Sequence, residues 1–207
     1  MNLKSIPWRK IIVYTFYVLF WSCLQVSFPN SFSLFGQVAD LMLVFVCLTA
    51  YFFGFNDGIV IGLCTGLLRD IFAGPVITGL DGTVSATVGV GMLLMFGVAA
   101  LSASFFTERM NRNVFFAFVA IVVATIGYKI AGHLLGALWT TVFLGRTYGI
   151  SPVSILLRSI LPQVLLNLLA GIPVAFTLKV LGPYKRGYGK IKKDDEIRYG
   201  DDKWLTI

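Results

Sequence analysis

Long apolar blocks, separated by brief polar or Gly/Pro punctuation, follow one another from residue 11 to residue 181. A helix needs about 20 consecutive apolar residues to cross a bilayer core, with a working range of about 17 to 25. Six blocks fall in or near that range: 11–28, 35–55, 58–72, 83–106, 114–143 and 153–181. With 57% hydrophobic and 13% charged residues and a mean hydropathy of +0.83, the rest of the chain is too short to hold a soluble core of its own. The pattern predicts an all-α polytopic membrane protein, a bundle of six transmembrane helices over 1–182 with a polar tail over 183–207.

The third block is the short one, because polar Asp57 and Arg69 enclose it. Were it re-entrant, five crossings would remain and the termini would lie on opposite sides. Basic residues decide between the two. Lys4, Arg9 and Lys10 precede the first block, Arg109 and Arg112 follow the fourth, and Lys185, Arg186, Lys190, Lys192, Lys193, Arg198 and Lys203 follow the last. Six crossings gather all of these on one face and leave Arg69, Arg146 and Arg158 on the other. Cytoplasmic loops carry the excess of Lys and Arg, so both termini are expected in the cytoplasm. The same placement explains the net charge of +7 without a nucleic-acid groove.

Glycine recurs at every fourth position leading into and along the third block, Gly54, Gly58, Gly62 and Gly66, and the next step lands on Asp70. Lipid is as apolar as leucine, so membrane helices associate through close backbone packing and hydrogen bonds, and small residues at this spacing let two backbones approach. The block is expected to be a buried central helix. Gly132 and Gly136 form a second such face in the fifth block, and the two are expected to pack together or to grip a partner's helix.

Ionisable groups are costly in a bilayer and are paired or functional by default. Asp40, Asp70, Asp81 and Arg158 are expected near the outer ends of the spans, with Asp70 paired to Arg158 or Arg69. Lys129 and His133 share one face of the fifth block, four residues apart. Gln163 and Asn167 repeat that spacing beside a kink expected at Pro162. Together they suggest one polar network, with Lys129 bonded to a carboxylate or to carbonyls freed near Pro162.

Chemistry of other kinds finds little footing. Cys23, Cys47 and Cys64 lie in apolar blocks at spacings that match no metal or redox motif. HExxH and GxSxG are absent, and the acidic residues are not grouped as metal ligands. No enzymatic activity, cofactor or metal is expected. Lys185, Arg186, Lys190, Lys192 and Lys193 are expected to lie along an anionic membrane surface. The acidic end of the tail, closing on Trp204, Leu205 and Ile207, reads as a solvated segment.

The stretch 39–82 resembles the MreD family of bacterial rod-shape-determining membrane proteins. It is similar in having Asp40-Leu41 opening a span, Gly66-Leu67-Leu68-Arg69-Asp70 closing a glycine-spaced one, and a turn from Gly74 to Gly79 into the next. Ala39 stands where the family usually has Pro, and Arg69 where it has an apolar residue. The resemblance implies a bacterial inner-membrane, non-enzymatic component of the elongation machinery that builds side-wall peptidoglycan. Its implied partners are MreC directly and, in the same complex, MreB, RodA and a penicillin-binding transpeptidase, together with membrane lipid. The six-helix fold implied is also similar to the S components of energy-coupling-factor vitamin transporters, which is the second functional reading. S components are often marked by alanines at four-residue spacing in the first span, and residues 11–28 contain no alanine.

Overall fold

The computed structural model of the protein describes residues 8–27, 33–72, 89–105, 114–143, 145 and 152–183. These form α1 (Trp8–Ser27), α2 (Leu41–Phe53), α3 (Phe55–Phe72), α4 (Val90–Ser104), α5 (Val114–Phe143), α6 (Pro152–Ile155) and α7 (Leu161–Val180). A π-helical turn, Leu156–Ile160, joins α6 to α7 without a break, so the described residues form six helical bodies. Among the described residues three stretches are long and apolar enough to cross a membrane: Trp8–Ser27, Phe115–Trp139 and Leu156–Val180. The shorter α2 and α4 are also apolar, and α3 carries Asp57, Arg69 and Asp70. This is the make-up of a helical membrane protein.

Pairings across the bundle fix the helix directions. Lys10 near the start of α1 meets Asp57 at the start of α3, while Arg69 at the end of α3 meets Asp40 just before α2. Gly91 at the start of α4 lies against Gly66 and Asp70 near the end of α3. Asn167 of α7 reaches Thr125 of α5, and Tyr17 of α1 donates to a backbone carbonyl at Thr177 or Leu181 at the end of α7. Successive bodies therefore alternate in direction. We call the end where α1 begins and α7 finishes the near end, and the end where α2 and α4 begin the far end.

The centre of the bundle is α2, and not the glycine-rich α3 that its spacing suggested. Every residue from Leu41 to Phe53 is buried. A helix apolar on all sides has no face to offer water and belongs inside. By contrast, α3 turns Val60, Leu67 and Ile71 outward. It is nevertheless one continuous helix, running antiparallel to α2 and α4, with no re-entrant break.

Local chemistry sets the boundaries. Asp40 caps α2 by accepting from the Leu43 N–H at 3.1 Å, so the second apolar block becomes helical at Leu41 instead of residue 35. Residues 34–37 form a tight turn in which Gly36 takes a φ of 76°. Gly54 separates α2 from α3 with a φ of 95°, a conformation that disfavours a side chain. The kink expected at Pro162 is resolved as the π turn just before it. Proline lacks an N–H and its ring crowds the carbonyl four residues back, that of Arg158, and widening this turn accommodates both effects.

Packing against α2 is close. Tyr17 and Tyr14 of α1 lie on Phe45 and Phe53, with ring centroids 5.8 and 6.4 Å apart. A Cβ at Gly58 would fall on the Ala50 side chain and backbone of α2. At Gly62 it would stand 3.0 Å from the Met95 carbonyl of α4 and 3.3 Å from Val46 of α2. At Gly66 it would stand 2.6 Å from the Met92 Cα of α4. The glycine ladder thus passes from α2 to α4 along its length. It does not meet the Gly132–Gly136 face of α5, contrary to the spacing argument: Gly132 has nothing within 4 Å of where a Cβ would sit, and α5 packs on α2, α4 and α7. Gly136 is buried.

Candidate functional site

The start of α2 presents a problem that the sequence solves with side chains. A helix of 13 residues is only about 20 Å long, so its first turn lies inside the bundle, where free N–H groups are costly. The Asp40 N–H donates to Asn167 Oδ1 at 2.7 Å, and the Leu41 N–H donates to Gln25 Oε1 of α1 at 2.6 Å. With the Asp40 cap on Leu43, these orphan donors are satisfied by α1, α7 and the chain itself.

A charged hub is built on this cap. Arg69 donates through Nη1 to Asp40 Oδ2 at 2.5 Å, and its guanidinium lies 5.1 Å from the centroid of the Tyr128 ring on α5. The positive end of the α2 dipole adds to the stabilisation of the Asp40 carboxylate. Asn167 Nδ2 donates to Thr125 Oγ1 at 3.0 Å, and Gln163 Nε2 reaches Asn167 Oδ1 at 3.1 Å and the Val38 carbonyl at 2.8 Å. Lys129 Nζ donates to Gln37 Oε1 at 2.7 Å. The hub joins α1, α2, α3, α5 and α7 through groups that mostly have protein partners, which makes it a clasp.

The expected network is therefore met in part. Asp40, Gln163 and Asn167 come together, with Arg69 as the cation at their centre. Asp70 pairs with neither Arg158 nor Arg69. It accepts instead from the Gly89 N–H at 2.7 Å and the Gly91 N–H at 2.9 Å, capping α4 from a neighbouring helix. Gly89 has a φ of 107°, and a Cβ at Gly91 would collide with Asp70, so both glycines belong to this cap. Lys129 bonds to an amide in place of the expected carboxylate or carbonyls. His133 Nε2 lies 3.4 Å from Ser159 Oγ in the π turn. Arg158 is exposed. Asp81, the turn from Gly74 to Gly79, and the tail residues Lys185, Arg186, Lys190, Lys192 and Lys193 lie outside the described residues.

Other contacts have no counterpart in the sequence reading. At the near end Asp57 is buried and held by Lys10 at 2.5 Å and by the Tyr14 hydroxyl at 2.7 Å, stapling α1 to α3. Lys10 and Tyr14 lie one turn apart on α1 and Asp57 is 43 residues beyond Tyr14, but Asp57 immediately before the apolar block is a signal that a cation should face it. A cavity of about 360 Å³ between α4 and α5 is lined almost wholly by apolar groups, among them Leu94, Gly97, Leu101, Ala131 and Leu135, with Tyr128 at its edge. Among the described residues no group of three His, Cys, Asp or Glu is placed to hold a metal.

Comparison of the chain with family models, with curated proteins and with solved structures gives no match.

Proposed function

We propose that this protein is a membrane scaffold of the bacterial elongation (rod) complex that binds MreC and supports side-wall peptidoglycan synthesis and cell shape, without catalysing a reaction itself. The observation that carries this reading is where the motif residues go. Asp40 caps α2, Asp70 caps α4, and Gly58, Gly62 and Gly66 lock α3 between them. The segment resembling the MreD family is spent on making α2, α3 and α4 one rigid unit, as a scaffold requires. In this reading all six helical bodies cross the inner membrane, both termini are cytoplasmic, and the basic tail lies on the membrane surface. Small-molecule capture is less well supported, because the Asp40 and Asp70 carboxylates are engaged by protein groups and the α4–α5 cavity is apolar.

Depletion of the protein from its own rod-shaped cells tests the proposal. Cells that round up while vitamin uptake is unchanged support it. Cells that keep their shape but lose uptake of a vitamin would replace it with the transporter reading.

A further inference from the structure

The cavity of about 360 Å³ between α4 and α5 is an elongated slot. Its walls run from Leu93 to Leu101 on α4 and from Gly127 to Leu135 on α5, roughly 12 Å along each helix at 1.5 Å per residue. Leu93, Leu101 and Leu134 line it and are 59%, 40% and 59% exposed, so the slot opens on the outer surface of the bundle. The α5 wall lies wholly within Phe115–Trp139, a stretch long and apolar enough to cross a membrane.

Gly97 makes room for the slot. Glycine is a poor helix former, and a membrane helix carries it where a neighbouring backbone comes close. Gly58, Gly62 and Gly66 are used in that way, whereas nothing lies within 4 Å of where a Cβ at Gly97 would sit. The chain places no side chain of its own in the room that this glycine leaves. Tyr128 is the one lining residue with a polar side chain, and its hydroxyl is enclosed, so the surface offered to an occupant is apolar. The Tyr128 ring also carries the Arg69 guanidinium at 5.1 Å, which places this residue between the slot and the charged hub.

Size and polarity identify the occupant. Apolar cavities stay dry, and one of about 150 Å³ takes the six carbons of benzene, so about 360 Å³ takes a hydrocarbon of roughly 14 carbons. Spread over its length, that volume gives a cross-section of roughly 30 Å², against roughly 80–110 Å² for an α-helix about 10–12 Å across. The slot is too narrow for a partner's helix and wide enough for one hydrocarbon chain.

We propose that the α4–α5 slot binds one acyl chain of a membrane phospholipid, seated along Gly97 and against Tyr128. The chain completes the packing of α4 on α5 and keeps water from the Tyr128 side of the Asp40–Arg69 pair. The site does not depend on which protein the scaffold grips.

The test uses the full-length protein purified in mild detergent from its own cells, stripped of lipid, and given phosphatidylglycerol whose acyl chain carries a photoreactive diazirine. Peptide mass spectrometry reads the labelled positions, and Tm is read with and without the unlabelled lipid. Labelling is expected to concentrate on 93–101 and 127–135, and the lipid is expected to raise Tm. Gly97→Phe fills the slot and Leu134→Gln puts a polar group at its mouth, and each is expected to lower slot labelling about tenfold. Gly132→Phe adds the same bulk to α5 at an open position outside the slot and is expected to leave labelling unchanged. Because Leu134 is exposed, its variant remains informative even if Gly97→Phe fails to fold. Labelling spread evenly over the exposed faces of α1 and α7, or slot labelling unchanged in Leu134→Gln, would overturn the proposal. Slot labelling that appears only after a co-purifying protein is stripped away would assign the slot to that protein, and preferential retention of a free fatty acid would assign it to another ligand; either would overturn it.

Discussion

Arg69 ties the end of α3 to the start of α2 through Asp40, its Nη1 2.5 Å from Oδ2, while its guanidinium covers Tyr128 of α5. Both side chains are mostly inaccessible, at 23% and 7% exposure. Breaking a buried pair from one side strands the other charge, which costs more than the pair itself contributes. Arg69→Met is expected to lose about 3–5 kcal/mol of stability. The double variant Arg69→Met with Asp40→Asn should lose clearly less than the sum of the single changes. Equilibrium unfolding in mixed micelles, run as a double-mutant cycle, checks this, and strict additivity would contradict it.

Gly58 and Gly66 are packed against atoms that cannot yield cheaply, the Ala50 and Met92 backbones. Alanine at either position should cost about 1–3 kcal/mol through overpacking. Gly97 and Gly132 have nothing within 4 Å, and alanine there should change stability by no more than about 0.5 kcal/mol or raise it slightly through better helix propensity. The same unfolding assay separates the two pairs, and equal losses at all four sites would show that the helix interface is elsewhere.

Asp70 acts as an N-cap supplied by a different helix. Asp70→Ala should cost about 1–2 kcal/mol and should raise amide hydrogen exchange selectively in the first turn of α4. Asp70→Asn, which keeps an acceptor, should recover part of the loss. An exchange increase spread evenly over the bundle would argue against a capping role.

Asn167 serves both the Asp40 N–H and the Thr125 hydroxyl. Asn167→Leu leaves both without their partner, at about 1–3 kcal/mol for each buried group. Adding Thr125→Val should restore some of that loss by removing one stranded hydroxyl, and a thermal-shift series on the four combinations reads the coupling.

Much of the architecture was legible because its causes are local. Apolar block length and Gly/Pro punctuation located the helices, and four-residue glycine spacing identified the close-packed face of α3. What the spacing could not give was the neighbour. A small residue marks where a backbone approaches, but Ala50, Met92 and Met95 on the other side carry no complementary signal, so the face of α5 was assigned in their place. The central position of α2 follows from its apolar character on every side, but the regular glycine spacing pointed to α3 instead. The hub shows the same division. Asp40 opening an apolar run marks the outer end of a span but not the cap it forms on α2, and Gln163 with Asn167 reads as a polar face. The partner of Arg69, by contrast, depends on α2 and α3 running antiparallel, a relationship of 29 residues in sequence. Asp70 was misassigned because charge suggested an ion pair, whereas its oxygens are used by two N–H groups that the glycines at 89 and 91 expose.

Purification of the tagged full-length protein in mild detergent from its own cells, followed by mass spectrometry of what accompanies it, tests the scaffold reading most directly. Recovery of MreC, together with RodA and its transpeptidase, is the predicted result. Recovery of two ATPases and a coupling membrane subunit in place of MreC would contradict it and make the protein the binding subunit of a transporter.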